Sequence, residues 1–374
     1  MRLGFSKNTG AYFAVGRAAC HRCKPFLIFF SMVLVMVGLL GCEKEPEPGE
    51  SYKKWEESSD YIKTADESVQ SKEQVAEEIA DTDIQKNPES SLSVPTYIDK
   101  IDGTWFIVDC YHNRIIYNDN LTDPLNQWNV LTEDVDKPHT MAGDGTVILV
   151  DDTENNRVLV FEKQGNSYVR TQVFNDIGNR PHYTVYDDVE KAFYVWSSTT
   201  GEMYVFRHHD GDGSMYLTEV RKIDELNGTY IRSFYLDGND IYFVSGIAAD
   251  GTSSGILKCD KRTLKVKKKF SVPDTLAGMA AMGYANGYYF ITVSTDVTGS
   301  QDAATMIRAR SLEGLSGGEY EDIYATYFVG GGTPYNFYQV DGEYYLTEHR
   351  LPAHAIWSFK IGETGDITDV KSVY

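Results

Sequence analysis

VILVDDTENNRVLVFEK, residues 147–163, holds two short apolar runs, VILV and VLVF, separated by six polar residues and Arg157. Both runs are β-branched and too short for a helix, and the insert DTENN accepts tight turns, so the unit predicts a β-hairpin. Neither run alternates with polar residues. That pattern suits strands covered on both faces, in the middle of a sheet packed between two others. A second copy stands upstream: WFIVDCYHNRIIYND, 105–119, again places an Asp five positions ahead of an Arg that heads an apolar run. Asp109 corresponds to Asp152 and Arg114 to Arg157. An internal repeat of this kind decides the architecture.

Outward from the hairpin, the turns Asp102-Gly103, Asp144-Gly145, Asp187-Asp188, Asp237-Gly238, Asn286-Gly287 and Asp341-Gly342 recur at steps of 42, 43, 50, 49 and 55 residues. Each is followed by an apolar strand pair, such as AFYVW with EMYVF, and in most units by a more polar fourth strand, as in YVRTQVF, MYLTEV and VKKKFSV. A small sheet with two apolar faces buries them only against neighbours. The prediction is an all-β fold, a six-bladed β-propeller of four-stranded antiparallel blades over 92–374. The last strand, DVKSVY, either completes the sixth blade alone or pairs near Leu92.

The hairpins DCYHNRIIYN and DTENNRVLVF resemble NHL repeats, in which a strand ends in Asp, an Asn-rich turn follows and the next strand begins with Arg. The third unit has Ser197 and Glu202 at those two positions, and units four and five carry the longer turns SGIAADGTSSG and VSTDVTGSQDAAT.

The first 41 residues read as a leader. Arg2, Lys7, Arg17, Arg22 and Lys24 precede any acidic residue, and residues 25–40 form an apolar run of 16. That run is short for a membrane span and suits a cleaved secretory signal, with an uncleaved signal anchor as the competing reading. The closing LLGC resembles the lipobox of bacterial lipoproteins, which implies lipidation of Cys42 and a place on the cell membrane facing outside the cytoplasm. Cleavage removes five of the 35 basic residues and none of the 55 acidic ones, so the formal charge becomes about −25. Such a surface repels phosphate backbones and argues against nucleic acid. Cys20 and Cys23 leave with the leader, while Cys110 and Cys259 sit in apolar runs and read as buried thiols. Residues 42–91 are acidic and poor in large aliphatic side chains, which predicts a largely disordered tether, with helix-forming composition around 66–85.

Chemistry is sought first at the Asp–Arg pairs, which read as braces across a turn. A better candidate precedes the turns. KPHT, RPHY and TPYN place His139, His182 and Tyr335 just after a Pro at the start of the innermost strand, with Tyr97 and Tyr230 at similar points in units one and four. Pro138 and Pro181 are 43 residues apart, one repeat, so His139 and His182 occupy equivalent places on adjacent blades. These residues converge on one mouth of the central channel, where a small molecule, glycan, peptide or protein would bind.

Propellers of related fold, the virginiamycin B lyases and peptidyl-hydroxyglycine lyases, are enzymes with channel histidines and a bound metal. The rival reading is therefore a lyase or hydrolase centred on His139 and His182, with His349 or His354 supplying a third ligand if their turn folds over the mouth. A third reading is a scaffold that binds proteins through its rim. No cofactor is expected; zinc at the histidines and calcium at 208–219 are the alternatives. In that second stretch Asp210, Asp212, Gly213 and Glu219 fit a calcium-loop spacing, but His208 stands first and the segment links two strands, so it reads as an acidic hairpin turn.

Overall fold

The computed structural model describes residues 47–68, 84–246 and 254–374. The leader, Cys42, most of the helix-prone stretch at 66–85 and part of the fourth unit's long turn lie outside the described residues.

Two-faced apolar strands force each sheet to find a neighbour on either side. In the first sheet Phe106 and Val108 pack with Met141, Val150 and Leu159 of the second, while Trp105 and Ile107 point the other way onto Val340, Tyr345 and Ile356 of the last. The core is accordingly six wedges, one between each pair of adjacent sheets.

Blade I comprises Pro95–Ile101, Thr104–Asp109, Arg114–Asn118 and Asn129–Thr132. Blade II comprises Met141–Gly143, Val147–Asp152, Arg157–Gln164 and Ser167–Phe174. Blade III runs through Pro181–Asp187, Ala192–Ser197, Glu202–Arg207 and Tyr216–Lys222. Blade IV follows with Ile231–Asp237, Asp240–Ser245, Gly255–Asp260 and Val266–Ser271. Blade V has Gly278–Ala285, Tyr288–Thr295, Thr305–Ala309 and the short Glu321–Asp322, and blade VI has Thr333–Val340, Glu343–His349, Ile356–Ile361 and Ile367–Ser372. All pairings are antiparallel, and the innermost strands touch in sequence around a ring that closes from blade VI to blade I. The Asp-Gly and Asn-Gly turns at 102–103, 286–287 and 341–342 place both residues at positive φ, the conformation a two-residue hairpin needs.

Blade VI is completed by its own C-terminal strand, which settles the closure question left by the sequence. The ring is sealed by packing: the Trp128 indole donates to the Tyr374 hydroxyl at 3.1 Å, and that hydroxyl donates to the Asp123 carbonyl at 2.7 Å.

The region expected to be a disordered tether differs in its described parts. Helix α1, Glu50–Ser58, buries Trp55 against the His209 ring at 4.4 Å, and Ser51 accepts a hydrogen bond from Arg207 at 2.7 Å. Beyond it Lys63–Thr64 adds a fifth strand to blade III, Glu67–Ser68 adds one to blade II, and Lys86 bridges to Asn129 of blade I. Averaged composition hid this docking because a single buried Trp supplies the apolar area that scattered aliphatic residues would otherwise provide.

Two stability measurements follow. Trp55→Ala is expected to cost about 3 kcal/mol in denaturant unfolding and to open residues 47–68 to limited proteolysis, since it removes the apolar contact holding the strap. Arg114→Ala strands the fully buried Asp109 carboxylate and is expected to cost about 3–5 kcal/mol.

Candidate functional site

Strand pairing fixes which residues of the six innermost strands are equivalent. Tyr97 faces Val108, Tyr183 faces Trp196, Ser233 faces Val244, Ala281 faces Thr292 and Asn336 faces Thr347. In blade II the Asp151 N–H donates to the Thr140 carbonyl, which puts Thr140 at this position. One residue earlier the ring reads Thr96, His139, His182, Arg232, Ala280 and Tyr335. His139, His182 and Tyr335 thus share a level, as their spacing predicts. Tyr97 lies one step deeper, buried against Tyr338 at 5.2 Å, and Thr96 takes its place at the mouth. Tyr230 precedes the ring by two residues but folds back onto it, and the blade IV residue at ring level is Arg232, which sequence reading passed over.

The starts of these strands are held by a repeated hydrogen bond. The N–H two residues ahead of the strand's Pro donates to the last residue of the second strand: Ser93 to Asp109 at 2.6 Å, Asp136 to Asp152 at 2.7 Å and Asn179 to Ser197 at 2.8 Å. Arg114 answers Asp109 at 2.7 and 2.9 Å, and Arg157 answers Asp152 at 2.6 Å. The hairpin's last turn residue reaches the next blade as well. Asn113 accepts from the Lys137 N–H at 3.0 Å and Asn156 from the Arg180 N–H at 2.8 Å. Lys137 and Arg180 are both left-handed, with φ of 47° and 60°, so these bonds hold a conformation that disfavours a side chain.

A cavity of about 370 Å³ opens at this end of the channel, lined by His139, Tyr230, Arg232, Tyr335 and His349, with Lys137, Arg180 and Glu154 at its edge. His182 lies behind this lining, stacked on His139 with centroids 3.9 Å apart. Its Nδ1 is 2.9 Å from the Arg232 carbonyl, which only accepts, so Nδ1 carries the proton and Nε2 accepts from the hydroxyls of Tyr230 at 3.1 Å and Tyr335 at 3.5 Å. His139 is fixed likewise. Its Nδ1 donates to the Lys137 carbonyl at 2.9 Å and to Thr153 at 3.0 Å, leaving Nε2 an acceptor. Beneath the pair, buried Asp151 accepts from the His139 N–H at 2.8 Å and from the Thr184 hydroxyl at 3.1 Å.

Burial, then the charge of Arg180, pushes the His139 imidazole down to about 3. Burial, then Arg232 and Arg350, pushes His349 down to about 4, and burial next to His139 takes His182 well below its ordinary value. Burial raises Asp151 to about 6 despite its donors. Cys110 is buried with its thiol pushed up to about 12, which leaves it unreactive.

Other candidates fall outside the mouth. His354 stacks on Trp357 at 4.9 Å and bonds Ser372. Within 208–219, His208 bonds Asp144 at 2.6 Å and Glu219 is engaged by Arg207 and Arg221, so these two ends of the calcium-like spacing are committed elsewhere. Among the described residues no group of three or more His, Cys, Asp and Glu side chains gathers in metal-holding geometry.

No family model and no curated protein matches the chain. Solved structures do match. Proteins described as 6-phosphogluconolactonases from Bacteroides uniformis ATCC 8492 and Bacteroides fragilis NCTC 9343 superpose with TM-scores of 0.53 and 0.54, each at 14% identity, over 75% and 76% of this chain and 85% of each of theirs. Kuenenia stuttgartiensis hydrazine synthase gives a TM-score of 0.51 at 15% identity over 75% of this chain and 80% of that one. These likenesses show the propeller fold and carry no site residue with them.

The lowered pKa values have a measurable sign. Each histidine is basic with a depressed native pKa, so its neutrality costs nothing above about pH 6.5, and stability falls as pH drops from there toward 3–4. Imidazole NMR should show His139, His182 and His349 neutral from about pH 5 to 8. His208 should titrate above its ordinary value, because the ion pair with Asp144 overrides the effect of burial.

Proposed function

We propose that the chain is a bacterial lipoprotein, held through Cys42 on a cell membrane and facing outside the cytoplasm, whose NHL-like propeller binds a ligand at the mouth ringed by His139, Arg232 and Tyr335, with His182 stacked behind them. The observation that carries this reading is the convergence of polar side chains from all six blades on one cavity of about 370 Å³, a size suited to small molecules. The leader's basic residues, apolar run and LLGC support the anchor.

Binding is favoured over catalysis by the state of the histidines. A general base works best with a pKa near the working pH, and an imidazole near 3 is a weak base at neutrality. Both ring Nδ1 atoms are tied to backbone carbonyls, which fixes each Nε2 as an acceptor.

Two measurements test the two halves of the proposal. Cys42→Ser should abolish fatty-acid labelling and release the protein from the membrane fraction; retention of the label would overturn the anchor. In a ligand screen by thermal shift, any compound that raises the melting temperature should lose about tenfold or more in affinity on Tyr335→Ala. Ligands indifferent to that change would move the site away from the mouth.

A further inference from the structure

The mouth carries a charge opposite to that of the chain around it. The formal net charge is −20, yet the cavity is lined by Lys137, Arg180 and Arg232 against the single carboxylate of Glu154, which Arg180 already pairs at 2.5 Å. Among the described residues Lys137 has one loose ionic partner, Asp136 at 3.7 Å. Arg232 is held over the Tyr230 ring at 5.4 Å, with one nitrogen donating to Ser294 and to the Gly278 carbonyl, and no carboxylate pairs with it among the described residues. A positioned guanidinium without a counter-charge is a site for a carboxylate or phosphate.

The rest of the lining asks for the opposite polarity of hydrogen bond. His139 Nε2 is an acceptor, because Nδ1–H is committed to Lys137 and Thr153. Tyr230 directs its proton at the single lone pair of His182 Nε2 at 3.1 Å and Tyr335 approaches the same nitrogen at 3.5 Å, so both phenol oxygens keep lone pairs for a ligand. Three acceptors therefore stand beside unpaired positive charge. An anion alone satisfies only the cations, and a neutral polyol satisfies only the acceptors.

We infer that the mouth takes a small hydroxylated anion, whose carboxylate or phosphate sits on Arg232 and Lys137 and whose hydroxyls donate to His139 Nε2 and to the oxygens of Tyr230 and Tyr335. This rests on the mouth being the binding site. The surrounding negative surface repels the ligand at long range, so the recognition is local and depends on the paired chemistry of the two groups.

The test is calorimetry and thermal shift on the purified protein with four probes: gluconate, glycerol phosphate, glucose and butyrate. Gluconate or glycerol phosphate should raise the melting temperature, and which of them does so separates a carboxylate from a phosphate ligand. Glucose and butyrate, each with half of the chemistry, should bind at least about tenfold more weakly. Arg232→Gln should weaken the anion by about 10–100-fold. Lys137→Gln, at a side chain that is 43% exposed, should weaken it less and lower the melting temperature of the free protein by less than Arg232→Gln does. No shift from either hydroxylated anion at concentrations up to about ten times a 1 mM dissociation constant overturns the inference. Equal binding of glucose or butyrate, lost on Tyr335→Ala, also overturns it but leaves the mouth as the site. Anion binding insensitive to Arg232→Gln and Lys137→Gln overturns both.

Discussion

One hydrogen bond, repeated in three blades, places the candidate site. The residue that ends the second strand accepts the N–H two residues ahead of the innermost strand's proline, through a carboxylate in blades I and II and through the Ser197 hydroxyl in blade III. It bends the chain into the channel so that His139 and His182 arrive face to face. Asp109 and Asp152 do this while fully buried, and a buried carboxylate without a partner would be strongly destabilising. Arg114 and Arg157 are therefore required by the brace itself. The same turns end in Asn113 and Asn156, which fix the backbone of Lys137 and Arg180. The hairpin thus orders both the imidazoles and two of the cations that surround them, and its turn adds Glu154 to the cavity edge.

The blade count was legible because it depends on a period, and a period survives divergence of individual residues. Turn signals spaced 42 to 55 residues apart mark six sheets even where the Asp and Arg are gone. The closure was not legible, because DVKSVY offers the same side chains whether its partner is Ile356–Ile361 or a segment near Leu92. At the site, the 43-residue step found both histidines. Two tyrosines were assigned by proximity to a proline, and proximity is too coarse: the residue at ring level directly follows the proline, as His182 follows Pro181 and Tyr335 follows Pro334, whereas Tyr97 stands two past Pro95 and so lies one step deeper. Arg232 was hidden because blade IV has no such proline. Yet it stands five residues before Asp237, as His139 stands before Asp144 and His182 before Asp187. Counting back from the turn would have found it.

The strap shows a different limit of composition. Residues 47–68 average out as polar, and averages describe a chain that gains its order from many weak contacts. Here order comes from a few specific ones. Trp55 is buried between helix α1 and the His209 ring, and two short strands borrow the free edges of blades II and III, where backbone groups would otherwise face solvent. Covering those edges shields them from pairing with another chain, a role that needs backbone and little hydrophobicity.

The neutrality of the mouth histidines follows from the same arrangement. Protonating His139 would add a positive charge to a buried ring beside Arg180 and stacked on His182, and both burial and repulsion oppose it. Asp151 below could have drawn a proton onto the pair, but its oxygens are occupied by backbone and threonine donors. The histidines consequently serve as acceptors of fixed direction while the charge of the site stays on Arg232, Arg180 and Lys137. Separating the two functions keeps both imidazoles as acceptors over the pH range in which free histidine changes charge, so for a ligand bound as proposed their contribution would be set by geometry rather than by protonation.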